Sequence, residues 1–203
     1  VERVEAFLAE LRHILDSGRM PQGGCGRLGL PLASEAGRPE VWVAGHGPRM
    51  LRLTGQYGDG WLPAWKMTPE QYAEKREVIR KHAEACGRSL PECGLFAPTM
   101  IGESRQRLLE MLDADPLARL LAIWVPAEEW KRHGVEHPGG PHSRGLVDVI
   151  LHEMDAARLR ELAQSIPSAL LDGFGFMGNV DELFAVFEPY ARAGAEHIVL
   201  GSS

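Results

Sequence analysis

The sequence predicts a parallel α/β fold built from strand–helix units. Short apolar, β-branched runs alternate along the chain with segments whose apolar residues recur every three or four positions, which is the pattern of strands followed by helices. The apolar runs lack in–out alternation, so we expect a sheet that is buried on both faces. A chain of 203 residues, 44% hydrophobic and 25% charged, has an ordinary globular composition for such a fold.

The first elements are an amphipathic helix, a long connection and a strand–helix unit. Apolar residues over 4–15 fall on one helical face, and Gly18 supplies a stop signal. Gly and Pro are frequent over 19–40, which predicts a loop. The β-branched run Val41–Ala44 predicts a buried strand, and Pro48 suits the first position of the helix that follows.

The next elements have clear local signals. A short strand is predicted over Gly60–Pro63, and Thr68–Gln71 reads as a capping box that starts a helix. That helix closes at Gly87, because glycine readily adopts the left-handed conformation of a helix end. A strand over Cys93–Ile101 and a helix over Ser104–Leu112 complete this series.

Residues 113–155 break the alternation and are interpreted as a helical insertion. Their sequence holds a Leu-rich helical stretch and then a loop rich in Gly and Pro. Four elements are predicted after it: a helix over 155–163 capped by Asp155, a strand over 173–176, a helix over 179–194 whose start is capped by Asn179 and Glu182, and a strand over 197–200.

Composition excludes several classes of protein. With 28 acidic and 22 basic side chains, the net charge of -6 gives no reason to expect a nucleic-acid partner. No apolar stretch approaches the roughly 18 residues of a transmembrane helix, and the first residues show no secretory signal. Three cysteines are too few for a disulfide framework, and an odd number fits the cytoplasm.

Two segments match known sequence motifs but lack the secondary structure that those motifs need. Gly24–Gly29 spells G-x-G-x-x-G but follows a predicted helix rather than a strand, so a plain connection is expected. His133–His137 spells the zinc pattern H-x-x-E-H, which needs both imidazoles on one helix. Gly134 and the following Pro138 argue against that helix. We therefore expect exposed histidines in a loop and no metal, with an adventitious site involving His142 as the alternative.

A stronger candidate is the turn Gly45–Met50. It directly follows a predicted strand and opens a helix, which is where ligands bind in βα units. Glycines let a ligand approach the backbone closely, and the free amides of a helix start favour a phosphate. On these residues alone, a tight turn without a ligand is an equal alternative.

Other residues leave two interpretations open. Asp59 is expected to bond nearby backbone groups, as aspartates in turns do. Trp65 and Lys66 follow the next strand. Either Trp65 is partly packed and Lys66 lies in solvent, or both line a substrate entrance. Trp124 and Trp130 in the insertion either pack within it or form a lid.

The longest motifs resemble the bacterial luciferase-like flavin-dependent oxidoreductases. The resemblance is carried by PEVWVAGHGPRMLRLTG over 39–55, by DGW over 59–61 and by TPE over 68–70. FMGNVDE over 176–182 and AGAEHIVL over 193–200 carry it near the end of the chain. The regions around 130–137 and 166–168 are most similar to the branch with coenzyme F420-dependent reductases, including mycobacterial phthiodiolone ketoreductases.

The resemblance implies a (β/α)8 TIM barrel. Such a barrel takes about 250 residues, so the chain is expected to be its carboxy-terminal portion, with 1–203 forming one partial barrel domain and 113–155 an insertion within it. Family members carry their proton-transferring residues on early strands, which this chain is expected to lack, so its catalytic residues are unknown. A half barrel leaves an open edge of unpaired backbone groups, which predicts a homo-oligomer.

The resemblance also implies a site. The phosphate and ribityl chain of the cofactor would lie against Ala44, Gly45, His46, Gly47 and Met50, the rest of the cofactor beside Trp61 and Leu62, and a small hydrophobic substrate near Pro63, Trp65 and Lys66. The cofactor is expected to be F420, with FMN as the alternative.

The expected reaction is hydride transfer between reduced F420 and a carbonyl or similar substrate. The alternatives are an FMN-dependent monooxygenase of the same fold, a non-catalytic remnant or subunit, and, last, a zinc hydrolase at His133 and His137.

Overall fold

A computed structural model describes residues 2–20, 37–64, 66–145, 148–149 and 153–202. Their helices and strands alternate as the sequence predicts. The elements are α1 (Glu2–Ser17), β1 (Trp42–Val43), α2 (Pro48–Tyr57), β2 (Gly60–Trp61), α3 (Pro69–Ala85), β3 (Glu92–Ile101), α4 (Arg105–Ala114), a 3-10 helix (Ala118–Trp124), α5 (Ala127–Arg132), α6 (Ala156–Ser165), a second 3-10 helix (Ser168–Gly173), β4 (Phe176–Gly178), α7 (Val180–Arg192) and β5 (His197–Ser202).

The chain divides into two compact units. Their boundaries fall between Phe96 and Ala97 within β3, between Pro189 and Tyr190, and between Val199 and Leu200. The predicted insertion over 113–155 stays a prediction.

In the described part of the first unit, β1, β2 and the first part of β3 pair in parallel. Trp42 of β1 lies opposite Gly60 of β2, and Gly60 lies opposite Glu92 of β3. The parallel pairing confirms the prediction from alternating strands and helices. Its core is formed by large side chains that are fully buried, namely Leu53, Trp61, Tyr72, Ile79 and Leu95.

Helices α2 and α3 of this unit pack unusually close together. A Cβ at Gly55 would lie 2.6 Å from the carbonyl oxygen of Ile79, so only glycine fits there. The predicted capping box of α3 is confirmed, since Thr68 Oγ1 accepts from the Gln71 amide at 3.3 Å and Gln71 Oε1 accepts from the Thr68 amide at 3.0 Å. Gly87, at a φ of +68°, follows its end as predicted.

The second unit is a helical layer beside the later part of β3. Thr99 lies opposite Phe176 and Ile101 opposite Gly178, again in parallel. The predicted strand over 173–176 begins late, because a 3-10 helix continues to Gly173. The buried core of this unit includes Leu108, Ile123, Trp130, Leu162, Ile166, Leu170, Leu171 and Met177.

Trp130 belongs to this core and does not form a lid. It is 1% exposed, and its Nε1 donates to the carbonyl of Ala122 at 3.0 Å. The predicted cap of α7 is confirmed, because Glu182 donates its amide to Asn179 Oδ1 at 2.9 Å and accepts from the Asn179 amide at 2.8 Å.

The expectation that His137 is exposed is wrong. The residue is 2% exposed, its Nδ1 accepts from the Gly139 amide at 2.9 Å, and its Nε2 therefore donates to the carbonyl of Ile123 at 3.0 Å. Burial against the ring of Trp130, 4.9 Å away, outweighs the polarity of the imidazole because both nitrogens are satisfied. Helix α5 ends at Arg132, before the zinc-like pattern.

Two features are absent from the described ranges. No helix there is both long and apolar enough to cross a bilayer. Nor does any group of three or more His, Cys, Asp or Glu side chains in those ranges have an arrangement suited to a metal ion. The Gly24–Gly29 motif lies outside the described residues.

Candidate functional site

The turn over 44–50, here called the β1–α2 loop, leaves the carboxyl end of β1 and opens α2. Gly47 is the N-cap of α2, in extended conformation at φ -80° and ψ 157°, and no side chain of the described residues caps the helix. Pro48 occupies the first turn and has no amide hydrogen to satisfy. The remaining first-turn amides have no partner within the helix, so the loop presents donors at the positive end of the α2 dipole.

The two glycines of the loop have different roles. Gly45 is buried, and a Cβ there would lie 2.4 Å from the Cβ of Met50. Gly47 is exposed, and a Cβ there would meet no atom of the described part of the chain within 4 Å. Gly45 is therefore required by the packing of the loop itself, whereas Gly47 borders open space beside an uncapped helix start, which fits a phosphate group.

Trp61 supports the loop from the core. Its Nε1 donates to the carbonyl of Gly45 at 2.8 Å, and its ring lies 4.9 Å from that of Tyr72. Tyr72 in turn donates its hydroxyl to the carbonyl of Gly94 at 3.0 Å, and burial raises the pKa of that phenol so that it stays a donor. The fully buried indole thus fixes the position of the Gly45 carbonyl.

Lys75 on α3 reaches the same loop. Its Nζ donates to the carbonyl of His46 at 3.0 Å. Burial, together with the charge of Lys75, lowers the pKa of His46 to about 4. At neutral pH the imidazole is therefore uncharged, and Lys75 brings a positive charge to the loop.

The other predicted site residues have varied exposure. Ala44 and Lys66 are exposed, Met50 and Leu62 are half-buried, and Pro63 is buried. Trp65 lies outside the described residues.

Lys75 and Tyr72 were missed by sequence reasoning. Lys75 lies in the charged run Glu74–Glu77, where nothing in the sequence separates a functional lysine from solvated neighbours. Tyr72 lies one helical turn earlier, and only this spacing could have suggested that the two share a face.

The expectation that Asp59 bonds nearby backbone groups is wrong. Its carboxylate accepts hydrogen bonds from residues that are distant in the sequence. Arg12 donates to it twice, at 2.8 and 2.9 Å, Arg38 donates twice at 2.9 Å, and the Val41 amide donates at 3.0 Å. Burial raises the pKa of Asp59, but hydrogen bonds from Arg38 and Arg12 outweigh burial, and the pKa lies far below its usual value. These guanidinium groups outcompete local backbone donors because each presents a charged, bidentate fork.

Comparison with known proteins identifies the family. The family described as luciferase-like monooxygenase matches residues 5–197. The chain belongs to the luciferase-like monooxygenase family. The resemblance noted from the sequence motifs is confirmed.

A curated relative of this luciferase-like chain is the phthiodiolone/phenolphthiodiolone dimycocerosates ketoreductase of Mycobacterium bovis (strain BCG / Pasteur 1173P2). The two are 37% identical over 164 residues, which cover 80% of this chain and 43% of the relative. The chain thus spans less than half the length of this relative.

Two solved structures of luciferase-like enzymes share the fold. The coenzyme F420-dependent tetrahydromethanopterin reductase from Methanopyrus kandleri matches with a TM-score of 0.62 at 15% identity, covering 100% of this chain and 56% of that one. The oxygenating constituent of 3,6-diketocamphane monooxygenase from Pseudomonas putida, in complex with FMN, matches with a TM-score of 0.55 at 13% identity. The match covers 99% of this chain and 56% of that one. The predicted luciferase-like TIM-barrel type of α/β fold is confirmed, and this chain covers about half the length of those enzymes.

Proposed function

We propose that this chain supplies the phosphate-binding part of an oxidoreductase that moves a hydride between reduced coenzyme F420 and a carbonyl or similar substrate. The family supports an oxidoreductase, and the name of the ketoreductase relative supports a carbonyl substrate. The observation that carries the proposal is the open space at Gly47 beside the uncapped start of α2.

In this proposal the β1–α2 loop binds the anionic tail of the cofactor. The amides of Gly47 and Met50 donate to the phosphate, and the charge of Lys75 favours its binding. Gly45 and Trp61 keep the loop in shape, since the indole holds the Gly45 carbonyl. When bound, reduced F420 supplies the hydride.

The remaining predicted positions keep their proposed roles. Ala44, His46 and Leu62 lie along the cofactor, while Pro63, Trp65 and Lys66 face a small hydrophobic substrate. Lys66 is exposed, and its positive charge suits an anionic substrate group. In this proposal the protein is located in the cytoplasm and forms a homo-oligomer.

FMN is the alternative cofactor, in a monooxygenase of the same fold. F420 and FMN share a phosphate and a similar ring shape, so a loop that binds phosphate accepts either one. The structural likeness to an FMN complex keeps this alternative open. A non-catalytic subunit that retains only the binding loop is the further alternative.

The test is a fluorescence titration of the whole chain with F420 and, separately, with FMN. We expect the Gly47→Ala variant to bind the preferred cofactor at least about tenfold more weakly, a loss of about 1.4 kcal/mol, because the new methyl group occupies the space proposed for the phosphate. Its free energy of unfolding should stay within about 0.5 kcal/mol of wild type, as for surface substitutions elsewhere.

Gly173→Ala is the matched control, because a Cβ there makes only ordinary contacts of 3.5 Å. It should leave both affinity and stability unchanged. No fluorescence change with either cofactor would contradict the proposal. Tighter binding of FMN would favour the monooxygenase, and binding without reduction of any ketone would favour the non-catalytic subunit.

A further inference from the structure

Two consecutive carbonyls of the β1–α2 loop each accept a hydrogen bond from a side chain. The Gly45 carbonyl accepts from Trp61, whose ring stacks against Tyr72 of α3. The His46 carbonyl accepts from Lys75, which lies almost one turn further along α3. Helix α3 therefore supports the loop through a buried aromatic pair and through one lysine.

Holding these carbonyls also orients the amides that follow them. In a trans peptide the C=O and the N–H of the next residue point in opposite directions. The His46 and Gly47 amides therefore point away from Trp61 and Lys75 respectively. At Gly47 the space in the Cβ direction is open, since a Cβ there would meet no atom of the described residues within 4 Å.

Lys75 differs in its ion pairing from two other cations of α3. No carboxylate of the described residues forms an ion pair with Lys75. Arg76 and Arg80 on the same helix each pair with at least one carboxylate. The charge nevertheless reaches the loop, because it contributes, after burial, to the lowered pKa of His46. A cation held at one side of a peptide can still attract an anion that binds the amide on the other side, because the Coulomb interaction acts over several ångströms.

We propose that Lys75 is a positioning residue, which clamps the His46 carbonyl so that the Gly47 amide faces an anionic group and adds its own charge to that group's binding. The inference rests on the phosphate role proposed above for the loop, and goes beyond it by assigning a specific function to a residue of α3. Lys75 acts through the loop backbone and does not itself touch reacting atoms.

The first test needs no cofactor. The pKa of His46 is measured by NMR titration of the imidazole in wild type, Lys75→Met, Lys75→Arg and the control Lys81→Met. Lys81 lies on the same helix with a side chain that is 67% exposed. We expect Lys75→Met to raise the pKa of His46 and to shift the Gly47 amide resonance, Lys75→Arg to restore both, and Lys81→Met to change neither.

The second test measures binding of the preferred cofactor, and of inorganic phosphate as its competitor, at low and high salt. We expect Lys75→Met to weaken cofactor binding about tenfold, to reduce its salt dependence, and to leave the free energy of unfolding near that of wild type. Lys75→Arg should recover most of the affinity, because a guanidinium group retains the charge and a donor.

The outcomes separate the two proposals. An unchanged His46 pKa and Gly47 resonance in Lys75→Met would overturn the clamp, as would wild-type cofactor affinity in that variant. If wild type binds neither F420 nor FMN, the phosphate role of the loop fails, and the NMR measurements alone decide whether Lys75 orients the loop.

Discussion

The two ends of strands β1 and β2 are built in opposite ways. At their amino end, the Asp59 carboxylate accepts hydrogen bonds from two bidentate arginines and from a backbone amide. At their carboxyl end, the β1–α2 loop leaves α2 without a side-chain cap and Gly47 beside open space. In parallel barrels the amino ends of strands serve stability and the carboxyl ends carry sites, and this pair of ends follows that division.

Charge is distributed in the same way. Around Asp59, Arg38 also pairs with Asp16 at 3.1 Å, and Arg88 lies 3.6 Å from the carboxylate. At the loop, Lys75 is bonded to a carbonyl and pairs with no acid among the residues described. At the Asp59 end each of these charged groups therefore faces an opposite charge, whereas Lys75 has only a carbonyl as its partner among the described residues and can offer its charge to an external anion.

Removing the charge of Asp59 should have the largest effect on stability. We expect Asp59→Asn to lower the free energy of unfolding by about 2 to 4 kcal/mol, because two guanidinium groups lose their carboxylate and Arg12 is only 8% exposed. Chemical denaturation measures the change. Cofactor affinity of the folded variant should stay near that of wild type, since the binding loop lies at the other end of the strands.

Glu161→Gln is the control for this variant. Glu161 pairs with Arg158 on the surface, where the side chains are 72% and 58% exposed, so its loss should cost less than about 0.5 kcal/mol. Equal free energies of unfolding for the two variants would show that the ion pairs of Asp59 contribute no more to stability than a surface pair.

Features set by neighbouring residues could be predicted from the sequence. The capping signals at Thr68 and Asn179 rest on hydrogen bonds between residues three positions apart, and both were recovered. The strand at 173–176 was misplaced because nothing local in GFGF separates the end of a 3-10 helix from the start of a strand. The partners of Asp59 lie up to 47 positions away and have no local signal.

The candidate site shows the same limit. The pattern Gly45–Met50 drew attention to the loop because glycines and proline at a helix start are visible in the sequence. The different roles of Gly45 and Gly47 depend on where Met50 lies in space, and the support from Lys75 depends on the packing of α3. Sequence reasoning therefore found the loop but not what holds it.

Gly45→Ala should distinguish the shape of the loop from its open space. The new Cβ would lie 2.4 Å from that of Met50, so the loop must shift, and we expect a loss of stability of about 1 to 3 kcal/mol. Gly47→Ala, which meets no atom within 4 Å, should leave stability nearly unchanged. Thermal and chemical unfolding of the two variants give the comparison, and similar losses in both would contradict the division of roles.

The smallest expected effect concerns the starts of α2 and α3. Thr68→Ala removes a side-chain cap from α3 and should cost about 1 kcal/mol in unfolding free energy, with cofactor affinity unchanged. Gly47→Ser offers α2 a cap that it lacks and should change stability by only about 0.3 kcal/mol, since glycine is itself a tolerated N-cap. We expect this variant to bind cofactor more weakly, because the serine hydroxyl can accept from the Met50 amide, one of the two amides proposed to hold the phosphate. If Gly47→Ser kept full affinity while Thr68→Ala lost it, phosphate binding would belong to the start of α3 and not to that of α2.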